Sequence, residues 1–170
     1  MIEAAARQSY GTELQQRILA PLELRQTYLP NGEMELPEPH ARGYLPVNGE
    51  LVDITNFDPS QAWAAGAIVS TAADLNRFYA ALLTGVLLSP AELETLQSTV
   101  PTDAAYHRGG CGVSRLELPD LTVWGHSGGI FGYRTWSYHS GDAARQLTLS
   151  LACAHGAPPE TYALLGDVFR

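Results

Sequence analysis

The chain has 170 residues, 45% apolar and 16% charged, which suffices for the core of one domain and does not match the composition of a disordered chain. Eighteen acidic residues against ten arginines and no lysine give a net charge of −8, which argues against nucleic-acid binding and excludes any mechanism that needs a lysine from this chain. No apolar run is long enough to span a bilayer, and because the first residues lack a basic region followed by an apolar core, we expect no export signal in the sequence as given.

The first third of the chain predicts a short helix and then a long loop. Residues 2–6 are apolar except for Glu3 and lack an N-terminal cap, which is typical of the end of a helix that begins further upstream. Thr12 and Gln15 have capping-box spacing ahead of apolar residues at helical spacing, so a helix is predicted with Thr12 as its cap. Six prolines and two Asn-Gly pairs in residues 21–62 predict an irregular loop with short strands.

Two further helices are predicted in the middle of the chain. Residues 70–74 offer a second capping box, and apolar residues at helical spacing continue until Gly85, a residue typical of helix ends. The next helix is predicted to begin with Ser89 as its N-cap, Pro90 in its first turn and Glu92 completing the box.

Beyond Gly109 the apolar residues alternate with polar ones, which predicts consecutive antiparallel strands. Turns are expected at Gly128-Gly129 and at residues 140–142. A last helix is predicted to carry Leu165 and Phe169.

The order of these elements predicts an α+β fold, with an antiparallel sheet flanked by helices. A single domain is expected over residues 1–170. Residues 1–108 would form its mostly helical and loop part, and residues 109–170 its antiparallel strands and C-terminal helix.

The cysteines and most histidines carry no ligand pattern. Cys111 and Cys153 lack metal-site spacing, so two buried free thiols are expected, with one disulfide as the alternative. Asp74 is better explained as part of a helix cap than as a catalytic acid. Surface positions are expected for the remaining histidines, which are His40, His107, His139 and His155.

The densest group of chemically useful residues is Trp124-Gly125-His126-Ser127-Gly128-Gly129, at the end of a predicted strand where glycines allow close approach. The alternative interpretation of these six residues is a tight hairpin turn with a surface histidine. His126 and Ser127 are neighbours on a strand, so their side chains should point to opposite faces. They would then not form a nucleophile and its base.

Several motifs occur in a recognisable order: residues 16–24 with Thr27-Tyr28, residues 41–44, residues 62–66 with 70–75 and Phe78, residues 110–113, and residues 125–129 with Gly132-Tyr133. This order resembles the C-terminal half of class C β-lactamases, D-alanyl-D-alanine carboxypeptidases and related penicillin-binding serine hydrolases. The resemblance implies the C-terminal part of a β-lactamase/transpeptidase-like fold, with the N-terminal strands and helix missing. It implies an acyl-enzyme mechanism on D-amino-acid peptides, β-lactams or small esters, without cofactor or metal.

By this resemblance, His126-Ser127-Gly128 is the third of the family's three motifs. Ser127 would hydrogen-bond the substrate, and the backbone N–H of Gly129 would supply half of an oxyanion hole. His126 stands where β-lactamases have lysine, so the sequence looks more like the carboxypeptidase and esterase branch.

The resemblance also implies three substrate-binding residues outside that motif. Trp63 and Tyr44 would wall the cleft, although core packing explains Trp63 equally well. Arg115 would meet the terminal carboxylate of a peptide, or Ser114 would stand in its place.

The other two family motifs, Ser-x-x-Lys and Tyr-x-Asn, do not occur. The first needs a lysine, and none of the eight tyrosines precedes an asparagine by two positions. We therefore expect the C-terminal part of a serine hydrolase, inactive alone and prone to associate through an open strand edge. The alternatives are a noncatalytic module that binds peptides or cell-wall fragments, and one chain of a split hydrolase whose partner is the missing N-terminal half. Relatives usually act outside the cytoplasm, but the sequence leaves the compartment open.

Overall fold

The computed structural model describes residues 1–102, 107–118, 121–152 and 160–170. Its helices are α1 (Ile2–Ala6), α2 (Tyr10–Leu14) continued by a π-helical turn (Gln15–Leu19), a 3-10 helix (Pro59–Ala65), α3 (Ala72–Leu83), α4 (Pro90–Gln97) and α5 (Glu160–Val168). Within the described part, none of the helices combines the length and apolarity needed to cross a bilayer.

The strands form a two-stranded and a six-stranded antiparallel sheet. The small sheet is β1 (Tyr44–Val47) paired with β2 (Glu50–Asp53). The large sheet runs in chain order: β3 (Val100–Pro101), β4 (His107–Gly109), β5 (Ser114–Glu117), β6 (Thr122–Ile130), β7 (Tyr133–Ser140) and β8 (Gln146–Ala152). The structure therefore confirms the predicted α+β fold with an antiparallel sheet flanked by helices.

Side-chain caps set the N-terminal ends of α2, α3 and α4. Ser9, rather than the predicted Thr12, caps α2, since the Ser9 hydroxyl accepts the N–H of Thr12. Thr71 caps α3 through the N–H of Asp74, but Asp74 does not close a box: its carboxylate accepts the N–H of Gln26 at 2.9 Å instead. The predicted box of α4 is confirmed.

The predicted turn at Gly128-Gly129 is wrong. Both glycines lie inside β6, because pairing with β7 continues to Ile130 opposite Tyr133. The turn falls at the next two residues, where Gly132 takes a φ of +72° that favours glycine. The predicted turn after Ser140 is confirmed, because Ala143 returns its N–H to the Ser140 carbonyl.

Both faces of the large sheet are covered. On one face, Leu165 and Phe169 at the C-terminal helix pack with buried residues of β5 to β7, among them Val123 and Trp136. On the other face, α3 contributes Tyr79 and Leu82 to a second cluster that includes Trp124. Burial of each large apolar side chain stabilises the fold by roughly 1.5–3 kcal/mol. The outer edge of β8 has no strand partner within the described residues.

Two predictions about single side chains are wrong. Cys111 is exposed in the turn between β4 and β5 rather than buried, and Cys153 lies outside the described residues. His139 is completely buried rather than at the surface, because it pairs with Trp124 on the face that α3 covers. His40 is half-buried, whereas His155 and the side chain of His107 fall outside the described part.

The burial of His139 predicts acid sensitivity. Burial lowers the pKa of His139 from 6.5 to about 4. The unfolded chain therefore binds more protons than the folded chain between these values, and the free energy of unfolding, full above about pH 6.5, falls as pH drops toward 4. At 1.36 kcal/mol per pKa unit the loss is about 2–3 kcal/mol near pH 4.5.

Urea unfolding at about pH 7 and about pH 4.5 measures this loss. His139→Gln keeps an N–H donor but does not titrate, so its stability should change much less between the two pH values. Hydrogen bonds lower the pKa values of Asp53 and Asp142 in both proteins, so their contributions cancel in the comparison. An equal loss in the two proteins would contradict the assignment to His139.

Candidate functional site

The candidate site is built on β6, which is paired differently along its two sides. On one side it pairs with β7 from Val123 to Ile130. On the other side, its pairing with β5 ends at Gly125 opposite Ser114. Within the described residues, the backbone of residues 126–130 thus presents an open edge, to which an extended ligand can add as a further strand.

His126 and Ser127 lie on this open segment and point to opposite faces. His126 is exposed and lies opposite Ser137 on the face covered by α3, whereas half-buried Ser127 lies opposite Trp136 on the face covered by α5. Their alternation agrees with the expectation that they do not form a nucleophile and its base. The structure brings Ser127, Gly128 and Gly129 together along one strand edge, and both glycines are exposed.

The two glycines are not equivalent. A Cβ added to Gly128 would have no heavy atom of the described residues within 4 Å. A Cβ added to Gly129 would lie 2.1 Å from Nη1 of Arg134, its partner on β7, so the arginine side chain crosses directly over Gly129. Position 129 thus has to be a glycine, because the guanidinium of Arg134 occupies the space that a side chain would need.

Arg134 is the residue that the sequence analysis missed. Its Nη1 donates to the carbonyls of Ile130 at 3.2 Å and Tyr133 at 3.1 Å, and within the described residues it forms no ion pair. A cation without a carboxylate, beside a strand edge with bare glycines, can bind an anionic group. The sequence offered one signal, since Arg134 falls opposite Gly129 once the turn is placed correctly.

Arg115 has its own partners in the sheet. Its Nη2 lies 3.2 Å from Oε1 of Glu117, and its guanidinium carbon lies 5.9 Å from the ring centroid of Trp124. Ser114, the alternative to Arg115, is buried opposite Gly125. The carboxylate-binding role of Arg115 remains a prediction.

Tyr44 lies at the turn end of β6. Its backbone nitrogen would be 2.8 Å from a Cβ on Gly132, and the ring of Tyr133 occupies the space of a Cβ on Gly43. Tyr133 also donates its hydroxyl to the Ala41 carbonyl at 3.0 Å. The base of the β1–β2 hairpin is therefore interlocked with the β6–β7 turn, while the hairpin tip, with Leu51, is exposed.

Trp63 is a surface residue rather than a core residue. The residue is 47% exposed, and its ring centroid lies 5.7 Å from that of Tyr10. Its backbone has φ 41° and ψ −128°, held by hydrogen bonds from the N–H groups of Gly66 and Ala67 to its carbonyl. Such backbone strain in a non-glycine residue costs about 1–3 kcal/mol and is typical of functional positions.

Replacing the two glycines tests the position of Arg134. Gly129→Ala should displace the guanidinium and remove its two carbonyl hydrogen bonds, lowering the free energy of unfolding by about 1–2 kcal/mol. Gly128→Ala is the matched control, expected to change this free energy by less than about 0.5 kcal/mol, since none of the described residues lies within 4 Å of the added Cβ. In an Arg134→Ala background, Gly129→Ala should become nearly neutral. Equal effects of Gly129→Ala in both backgrounds would show that Arg134 does not cover Gly129.

Comparison with known proteins assigns the chain to a family. The family model described as Beta-lactamase matches residues 1–163. The D-stereospecific amidohydrolase from a Streptomyces species is 33% identical, with a TM-score of 0.85 over 89% of this chain and 46% of its own. The D-amino acid amidase from Ochrobactrum anthropi SV3, complexed with D-phenylalanine, is 26% identical, with a TM-score of 0.82 over 99% of this chain and 53% of its own.

A more distant structure shows the same fold. The octameric penicillin-binding protein homologue from Pyrococcus abyssi is 22% identical, with a TM-score of 0.80 over 96% of this chain and 39% of its own. The chain thus spans about half the length, or less, of these three structures. The match of the family model to most of the sequence, together with the 33% identical amidohydrolase, shows that this chain belongs to the β-lactamase family of serine hydrolases.

Proposed function

We propose that this chain provides the β6 wall of an acyl-transfer site for amides and peptides of D-amino acids. The observation that carries the proposal is the open edge of residues 126–130, with two exposed glycines and Arg134 beside it. An extended substrate would pair with this edge through its backbone. The choice of D-configured substrates rests on likeness to the D-stereospecific amidohydrolase and the D-amino acid amidase.

Each residue on the edge has a distinct role in this proposal. The N–H of Gly129 donates to the oxyanion that forms when the substrate carbonyl is attacked. Ser127 hydrogen-bonds the substrate, and His126 takes the place of the family's third-motif lysine. Tyr44 and Trp63 line the cleft on the side of the loop. Nucleophile and base are supplied by Ser-x-x-Lys and Tyr-x-Asn motifs, neither of which occurs in this sequence.

Arg134 is the better placed of two arginines to receive a substrate carboxylate. Arg115 already has Glu117 at 3.2 Å, so a substrate would compete with an existing ion pair. Arg134 donates to two carbonyl oxygens, has no carboxylate partner within the described residues and lies across from Gly129. Substrates with a free carboxylate, such as D-peptides, would use this contact, whereas simple D-amino-acid amides would not.

The chain alone is expected to be unreactive. Incubation with a fluorophosphonate should give no covalent adduct by mass spectrometry, because an activated nucleophile needs an adjacent base. Co-expression with the part of the Streptomyces amidohydrolase that this chain does not cover should then give hydrolysis of D-phenylalanine amide. In that complex His126→Ala should lower kcat/KM by about a hundredfold, and His40→Ala, outside the open edge, should leave it unchanged.

Two outcomes would contradict the proposal. A stoichiometric adduct on the isolated chain would show that it carries its own nucleophile. A complex that forms but is equally active with and without the His126 side chain would show that β6 does not line the reacting site.

The same open edge supports a second function, a noncatalytic binding module for D-amino-acid peptides or cell-wall fragments. Strand addition needs no nucleophile, and exposed Trp63 would add an apolar contact. Titration with a D-Ala-D-Ala peptide should then shift backbone amide signals of residues 126–130 at millimolar ligand. Signals that do not move would reject this function.

A further inference from the structure

A row of polar side chains, two of them buried and two half-buried, crosses the face of the sheet that α3 covers, next to His126. Ser137 lies directly opposite His126 in the register of β6 and β7. Its Oγ lies 2.9 Å from Nε2 of His139 and 2.6 Å from Oγ1 of Thr148. Thr148 in turn lies 2.6 Å from Oδ1 of Asn76 on α3. The row therefore connects three elements, β7, β8 and α3.

The direction of each hydrogen bond follows from the acceptor at one end. Oδ1 of Asn76 has no hydrogen, so Thr148 donates its only hydroxyl proton to it. Thr148 must then accept from Ser137, which commits the only hydroxyl proton of Ser137. Ser137 can only accept from His139, so the proton of the imidazole is on Nε2.

The surroundings of the ring agree with this tautomer. Nδ1 of His139 is buried and has no hydrogen-bond partner within the described residues. In the other tautomer, Nδ1 would carry a buried N–H without an acceptor. The desolvation and lost hydrogen bonding of that N–H would cost more free energy than an unprotonated Nδ1 does. The ring is fixed on its flat side by Tyr79, whose ring centroid lies 4.6 Å away at an interplanar angle of 23°.

We propose that His139 is a positioning residue for the candidate site: as an Nε2–H donor, it begins a one-way hydrogen-bond chain through Ser137 and Thr148 to Asn76. This chain holds the segment of β7 opposite His126 at a fixed depth against α3. β6 and β7 lie very close together at this point, because a Cβ on Gly125, the residue before His126, would lie 1.8 Å from the Ser137 carbonyl oxygen. β6 is therefore in direct contact with the backbone of Ser137, and the hydrogen bond from His139 holds Ser137 in place.

α3 is itself held in place by hydrogen bonds, so the hydrogen-bond chain ends at a residue, Asn76, whose position is fixed. The Asp74 carboxylate, two residues before Asn76, accepts the N–H of Gln26 and the hydroxyl of Thr27 from the loop after α2. The backbone carbonyl of Asn76 also accepts Nε2 of Gln146 on β8 at 2.8 Å. A shift of the row would disturb these contacts as well.

Nitrogen-detected NMR of the full 170-residue chain, labelled with ¹⁵N, tests the proposal without requiring activity. At neutral pH His139 should be the neutral Nε2–H tautomer, with a slowly exchanging ring proton. Thr148→Val removes the hydroxyl at nearly constant shape. It should speed exchange of that proton by about tenfold, the effect of losing one hydrogen bond, and shift the ring signals of His126.

Two further variants separate positioning from general destabilisation. Thr148→Ser restores a hydroxyl and should restore both signals. Ser150→Ala, on the exposed part of the same strand, should change neither. An Nδ1–H tautomer in the unsubstituted chain would overturn the proposal even if Thr148→Val did not fold. Unmoved His126 signals in a folded Thr148→Val protein would overturn it too.

Discussion

The unequal pairing of β6 is the constraint on which the rest of the candidate site depends. β7 pairs with the strand from Val123 to its end at Ile130, so the backbone cannot relax into a turn even where two glycines follow one another. β5 pairs with its other side only as far as Gly125, so the backbone groups of residues 126–130 that do not bond to β7 face outward from the strand. Rigid backbone donors on an accessible edge are what binding and electrostatic stabilisation of an oxyanion both require.

The glycines of this region allow close contact more than they allow bending. Gly125 admits the Ser137 carbonyl, Gly129 admits the Arg134 side chain, and Gly132 admits the backbone of the β1–β2 hairpin. Of these three, only Gly132 has a positive φ. A glycine-rich strand end is therefore compatible with dense packing, and here each missing side chain is replaced by a group from another element.

Much of the fold could be predicted from local signals. The capping box of α4, the end of α3 near Gly85 and the turn after Ser140 depend on residues within a few positions of each other, and these predictions are confirmed. The turn at Gly128-Gly129 could not be placed correctly, because local glycine content favours a turn and only pairing with a distant strand decides against it. His139 was misplaced for a related reason: its burial depends on α3, more than fifty residues earlier in the chain.

The residues of the candidate site also divide into those that local sequence predicts and those that depend on tertiary structure. Residues 126–129 could be found from the motif itself, and their place on an open edge is a property of the sheet. Arg134 could not be found, because its significance comes from register across β6 and β7. Trp63 was ambiguous between core and cleft, and its exposure and strained backbone are tertiary properties.

The close contact between the β1–β2 hairpin and the β6–β7 turn divides the hairpin into two parts whose sequences can change at different rates in evolution. Its base, at Gly43 and Tyr44, is in contact with Tyr133 and Gly132, so a larger side chain there would push on the end of β6. Its tip, around Asn48 and Gly49, is exposed and has no such contacts. Insertions and substitutions at the tip would be tolerated, and new ligand contacts could arise there while the strand that supplies the backbone donors stays in place.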